Sequence, residues 1–182
     1  MEYTVRHVRA GDWKQVKELR LAALQDPVAD LAFFNTYEQS LAHPDAFWQG
    51  RAADSEEGSA SRQFVAQAAD GRWLGTVSVL VERLGVETFF GDVPQVEQAQ
   101  VVGVFVRPEA RGTGVALSLF RAAEEWAWRL QPPVDRIRLF VHEDNHRAEA
   151  LYRKAGFVPT GRTVPFERDS SRVERELALR RS

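Results

Sequence analysis

Residues 99–130 constrain the fold more than any other stretch. They open Ala99-Gln100-Val101-Val102-Gly103-Val104-Phe105-Val106, rich in the β-branched residues that suit a buried strand. The run breaks at Arg107-Pro108-Glu109-Ala110 and turns through Arg111-Gly112-Thr113-Gly114-Val115-Ala116. Beyond the glycines the period changes, and Leu119, Ala123, Trp126 and Leu130 fall on one helical face. The unit reads strand, glycine turn, helix.

That order of elements makes an anion site. The first amides of a helix have no intrahelical acceptor, and the positive end of its dipole points the same way. Gly112 and Gly114 let the backbone bend and approach a ligand with no side chain between. A pyrophosphate fits there, and Arg111 adds a permanently charged, planar donor. Taken alone, a Gly-x-Gly pair reads first as a device for easing a tight strand-to-helix joint.

Two blocks together are more specific. Residues 111–116 match (Gln/Arg)-x-x-Gly-x-(Gly/Ala). Downstream, Asn145-His146-Arg147-Ala148-Glu149-Ala150-Leu151-Tyr152-Arg153-Lys154-Ala155-Gly156-Phe157 matches Asn-x-x-Ala-x-x-Leu-Tyr-x-x-x-Gly-Phe. In these blocks and their order the chain resembles the GCN5-related N-acetyltransferases. The resemblance implies an α/β fold: a mixed, mostly antiparallel sheet with helices on both faces and a central parallel strand pair. It also implies direct transfer of an acyl group, acetyl first, from acetyl-CoA to a primary amine of a small molecule or a protein. The acceptor's identity is left open, as is a homodimer.

The same resemblance assigns residues. The backbone of Val104, Phe105 and Val106 would hydrogen-bond the pantetheine arm and polarise the thioester carbonyl, and the amides of Arg111, Gly112, Thr113, Gly114, Val115 and Ala116 would hold the diphosphate. Asn145 would reach the cofactor arm while capping a helix. Tyr152 would stand near the sulfur, where a phenol is a sensible general acid for a departing thiolate; the bland alternative is an aromatic packed beside Leu151. A base is harder to find. Gln100 occupies the position where a carboxylate is expected and cannot take a proton, so Glu82 and Glu97 are the substitutes, acting directly or through water.

The remaining elements suit this plan. Tyr3 to Val8 alternates as a strand; Gly11-Asp12 is placed to cap a helix carrying Trp13, Val16, Leu19 and Ala23, which Asp26-Pro27 ends. Residues 28–51 read as an aromatic helical flap, with Pro44 in the first turn of a short helix, and residues 52–61 as a small polar loop. Residues 63–68 and 73–82 flank Asp70-Gly71 as a hairpin, and 83–98 is a long connection. After Pro132-Pro133 come a strand over 136–142 and a helix over 145–155 stopped by Gly156. A last hairpin pairs 157–162 with 173–179 around a charged loop at 163–172.

Composition removes other classes. A chain of 182 residues with 44% hydrophobic residues predicts one domain over 1–182. With no cysteine there is no disulfide, thiolate nucleophile or Cys-dependent zinc site, and with no apolar leader or apolar run of about 20 residues a cytoplasmic, non-membrane location is expected. A net charge of −2 lacks the basic excess of nucleic-acid binders. His142 and His146 straddle a strand end and a helix start, so they share no face and no metal is expected. A dinucleotide-binding oxidoreductase is set aside because Leu117 stands where a third glycine belongs. A non-catalytic acyl-CoA-binding module on the same scaffold remains the alternative, kept alive by Gln100.

Overall fold

Residues 1–181 are described by a computed structural model. Seven strands form one sheet in the order β1-β2-β3-β4-β5-β7-β6. They are β1 (Tyr3–His7), β2 (Ser61–Ala68), β3 (Trp73–Glu82), β4 (Gln98–Val106), β5 (Arg136–His142), β6 (Val158–Phe166) and β7 (Asp169–Arg180). All neighbours run antiparallel except β4 and β5, which are parallel because α5 (Val115–Trp128) carries the chain back between them. β6 tolerates Pro159 and Pro165 because it is an edge strand.

Alternation along the strands sorts the apolar side chains to two faces. Val77, Val79, Ala99, Val101, Ile137, Leu139 and Leu177 meet Leu119, Phe120 and Ala123 of α5 on one face. On the other, Val65, Trp73 and Phe105 pack under Val16, Leu19 and Ala23 of α1 (Trp13–Leu24) and Trp48 and Ala52 of α4 (Asp45–Glu57). Cutting Leu119 back to Ala would cost about 2–5 kcal/mol. Helices thus cover both faces, with α6 (His146–Lys154) joining the α5 side through Leu151, Tyr152 and Ala155.

The sheet opens beyond the first rungs shared by β4 and β5. β4 and β5 share only the rungs Gln98↔Arg136, Ala99↔Ile137 and Gln100↔Arg138. A bulge follows in β4, since Thr76 faces Phe105 while Ser78 faces Val102. Gly103 absorbs the extra residue at φ +62°, a conformation that favours glycine. A bulge bends its strand, and this bend falls just past the last shared rung. Residues 101–106 of β4 and 139–142 of β5 therefore share no rung and leave a splay between them.

Three expectations need correction. Residues 52–57 are not a loop: α4 runs to Glu57 and ends on Gly58. Ser55, polar yet buried, explains this, because its hydroxyl donates to the carbonyl of Val8 and accepts from the amide of Gln63, tying α4 to the β1 and β2 ends. The charged segment 163–172 is no open loop: β6 runs to Phe166 and β7 starts at Asp169, leaving a tight turn at Glu167 and Arg168. Asp12 does not cap α1 with its side chain; its carboxylate turns back to the Arg9 amide and the Arg6 guanidinium. The flap holds two short helices, α2 (Ala29–Ala32) and α3 (Tyr37–Leu41), ahead of α4, and Pro44 sits at the α4 N-cap. No described helix is long and apolar enough to cross a membrane.

Candidate active site

The turn after β4 exposes a row of donors. Gly112 (φ +75°) and Gly114 (φ +89°) both take left-handed backbone, which a side chain would strain. A Cβ at Gly112 would meet nothing within 4 Å, so the concave side of the turn is open. Among the described residues no protein acceptor takes the amides of Gly112, Thr113, Gly114, Val115, Ala116 or Leu117, the last three being the first amides of α5. Successive free amides at a glycine turn form an anion nest, reinforced by the dipole of a 14-residue helix.

Arg111 belongs to the frame of this nest. Its Nε donates to the carbonyl of Val106, its guanidinium pairs with Asp26, and its amide donates to the carbonyl of Pro108. Burial pushes the Asp26 carboxyl up, but the Arg111 hydrogen bond and the Val28 amide outweigh it and hold its pKa below the ordinary value. Asp26 was legible only as a helix stop, since its partner lies 85 residues away.

The splay supplies a second row. The amide of Arg107 donates to the carbonyl of Leu74 in β3, so by alternation Phe105 also turns its backbone toward β3. Val104 and Val106 then turn theirs into the splay. Phe105 contributes its side chain to the α1/α4 cluster instead.

Tyr152 stands on α6 with its ring edge-on to Phe120, centroids 5.7 Å apart. Burial raises its pKa to about 12, so the phenol holds its proton throughout the neutral range. Asn145 accepts from the amide of Ala148 as the α6 N-cap, which leaves its side-chain NH2 group without a protein partner among the described residues.

On the face opposite α5, the carboxylates are engaged. Glu82 is 4% exposed and accepts from Arg138 with both oxygens and from Gln98 with one. Arg138 also reaches Glu176 and Asp92, and Arg136 reaches Glu176 and Gln98. Burial works against Asp92 ionising, but hydrogen bonds from Arg138 and Thr88 hold its pKa at about 2. Glu97 pairs with Arg83 at 3.2 Å. The expected substitutes for a base thus both sit in ion pairs, which a strand sequence does not disclose. Gln100 differs: it is 3% exposed and its Oε1 has no hydrogen-bond partner. His142 accepts the Asp144 amide on Nδ1.

An anion nest at a helix start, beside a sheet opened between two parallel strands, has the shape and polarity that a diphosphate-bearing ligand with a long arm would fit. The profile of the acetyltransferase (GNAT) family matches residues 13–157, and the chain belongs to that family. A Bacillus subtilis (strain 168) protein, provisionally named a [ribosomal protein bS18]-alanine N-acetyltransferase, is 35% identical over 65 residues. That match takes in 36% of this chain and 42% of the relative, so it spans less than half of that protein. Among solved structures, a GNAT-family acetyltransferase from Streptococcus pneumoniae superposes with a TM-score of 0.70 at 15% identity, covering all of both chains. Spermidine N-acetyltransferase from Vibrio cholerae, in complex with CoA and spermine, gives 0.62 at 20% identity over 98% of this chain and 95% of that one. At such identities the likeness is one of fold.

Proposed function

We propose that the chain is an acyl-CoA-dependent N-acyltransferase that moves acetyl from acetyl-CoA to a primary amine by direct attack within a ternary complex. The observation that carries this reading is the row of unpartnered amides from Gly112 to Leu117 beside the open edge of β4. Coenzyme A presents a diphosphate and an amide-bearing arm, which are the two groups that a nest and an unpaired strand edge accept. The residues present therefore fit it.

In this reading the amides of Gly112–Ala116 hold the diphosphate and Arg111 keeps their turn in register with β4. Val104 and Val106 pair with the arm as a missing strand would. Asn145 offers its free NH2 group to the same arm. Tyr152 gives its proton to the sulfur as the C–S bond breaks and the C–N bond forms, and the proton that the nitrogen sheds passes through solvent to the phenolate, so atoms and charge balance. Glu82 and Glu97 stay in their ion pairs and take no proton. The α-amine named in the Bacillus relative and the polyamine of the Vibrio complex both fall within the acceptor class.

The test is thiol release from acetyl-CoA across a panel of primary amines, with the acetylated product identified by mass. Amine-dependent thiol release at a rate well above hydrolysis is expected. Binding of acetyl-CoA with no transfer to any amine would favour the non-catalytic module, the reading that Gln100 and the paired glutamates support.

A further inference from the structure

Ile137 and Leu139 lie in the cluster under α5, so Arg136 and Arg138 face the other side of the sheet. On that side β7 sets Arg180 directly across from Arg136. Like charges directly opposite on paired strands are destabilising unless a counter-charge answers them. Arg136 has one in Glu176, whereas Arg180, among the described residues, has no ion pair and no side-chain hydrogen bond.

Arg136, Arg138, Arg162 and Arg180 line one cavity of about 210 Å³, walled on its far side by residues 92–96 of the connection. Its donors outnumber its acceptors. Both oxygens of Glu82 accept from Arg138, both of Asp92 from Arg138 with Thr88 and Arg162 adding to them, and both of Glu176 from Arg136, with Arg138 and Thr160 adding to them. Gln98, also in the lining, is spent on Glu82 and Arg136. Four guanidiniums therefore meet three carboxylates, and one positive charge is left over. Arg162 gives a single nitrogen to Asp92 at 3.4 Å and keeps the rest of its fork.

We propose that this cavity binds a small oxyanion, a phosphate or a carboxylate, on the unspent N–H groups of Arg180, Arg162 and Arg136. Guanidinium forks match both head groups, and an anion between Arg136 and Arg180 supplies the counter-charge that the strand pair lacks. Entry needs no rearrangement, because the floor is buried, with Arg138 1% and Arg136 16% exposed, while Arg162 at the mouth is 43% exposed. The wall offers little to repel an anion: Val93, Pro94 and Val96 are apolar, and Asp92 is neutralised by Arg138. Gln98 opens β4 and Val106 ends it, so the cavity and the nest past Val106 lie at opposite ends of a strand about 26 Å long. The oxyanion site is thus separate from the nest and does not rest on the acyltransferase reading.

Titrating 15N-labelled protein with sodium phosphate, and separately with sodium succinate, at an ionic strength held constant with sodium chloride tests this. The amide signals of residues 92–98 and of Arg136, Arg162 and Arg180 are expected to move and saturate with at least one of the two anions, with a dissociation constant below about 10 mM. Either anion supports the inference, and the tighter one identifies the head group. Arg180→Gln breaks no side-chain contact within the described protein, so its spectrum in chloride alone should match wild type away from the substitution. It should weaken the anion by about tenfold through the lost charge-assisted hydrogen bonds. Arg72→Gln removes the same charge from the β2–β3 turn, where Arg72 pairs with Glu109, and should leave the dissociation constant unchanged. Failure of both anions to saturate, movement confined to Gly112–Leu117, or equal weakening by the two variants overturns the inference.

Discussion

A phenol that is to deliver a proton must hold it until the thiolate leaves, and Tyr152 meets that condition through burial against Phe120. Tyr152→Phe keeps the ring and removes the proton. It should lower kcat by about 100-fold while CoA binding stays within about twofold, read by thiol release and calorimetry. An unchanged kcat would return Tyr152 to a packing role. The place of the tyrosine on its helix, the asparagine cap and the glycine turn were legible in the sequence because each is set by its own chain neighbours. The commitments of Glu82, Glu97 and Arg111 were not, because each depends on a partner from another element. Gln100 was visible as an amide in a carboxylate's position; its orphaned oxygen became visible only once Arg138 and Gln98 were seen to be engaged.

At the scale of elements, the strand–turn–helix unit came through from sequence nearly intact, since the change from strand to helical period is sharp and α5 places Leu119 and Ala123 in the core. Where composition misled, a tertiary contact had intervened: Ser55 looks like loop material and is a buried fastening of α4. α5 also carries an unfavourable group. Burial raises the Glu124 carboxyl pKa from 4.5 to about 7, against the charge of Arg121. A raised carboxyl keeps its proton in the folded chain while the unfolded chain ionises, so stability falls as pH climbs from 4.5 through 7. Glu124→Gln should therefore leave Tm unchanged below pH 4.5. Above pH 7 it should raise Tm by about 2–4 °C, corresponding to about 1 kcal/mol after discounting for the group's half-open setting. A gain confined to acid pH would contradict that assignment.

For the molecule as a whole, the proposed function depends on a sheet that is closed at one end and open at the other. The buried network of Glu82, Arg138, Glu176 and Arg136 secures the closed end, and the Gly103 bulge starts the opening. Strand identities and the parallel pair could be anticipated from the order of elements. The extent of the splay could not, because it depends on how many rungs β4 and β5 share. Titrating 15N-labelled protein with coenzyme A tests the account most directly. The account predicts that the amide signals of Gly112–Leu117 and of Val104 and Val106 move together with one saturating dissociation constant. Binding that leaves those signals in place, or no binding at all, would contradict it.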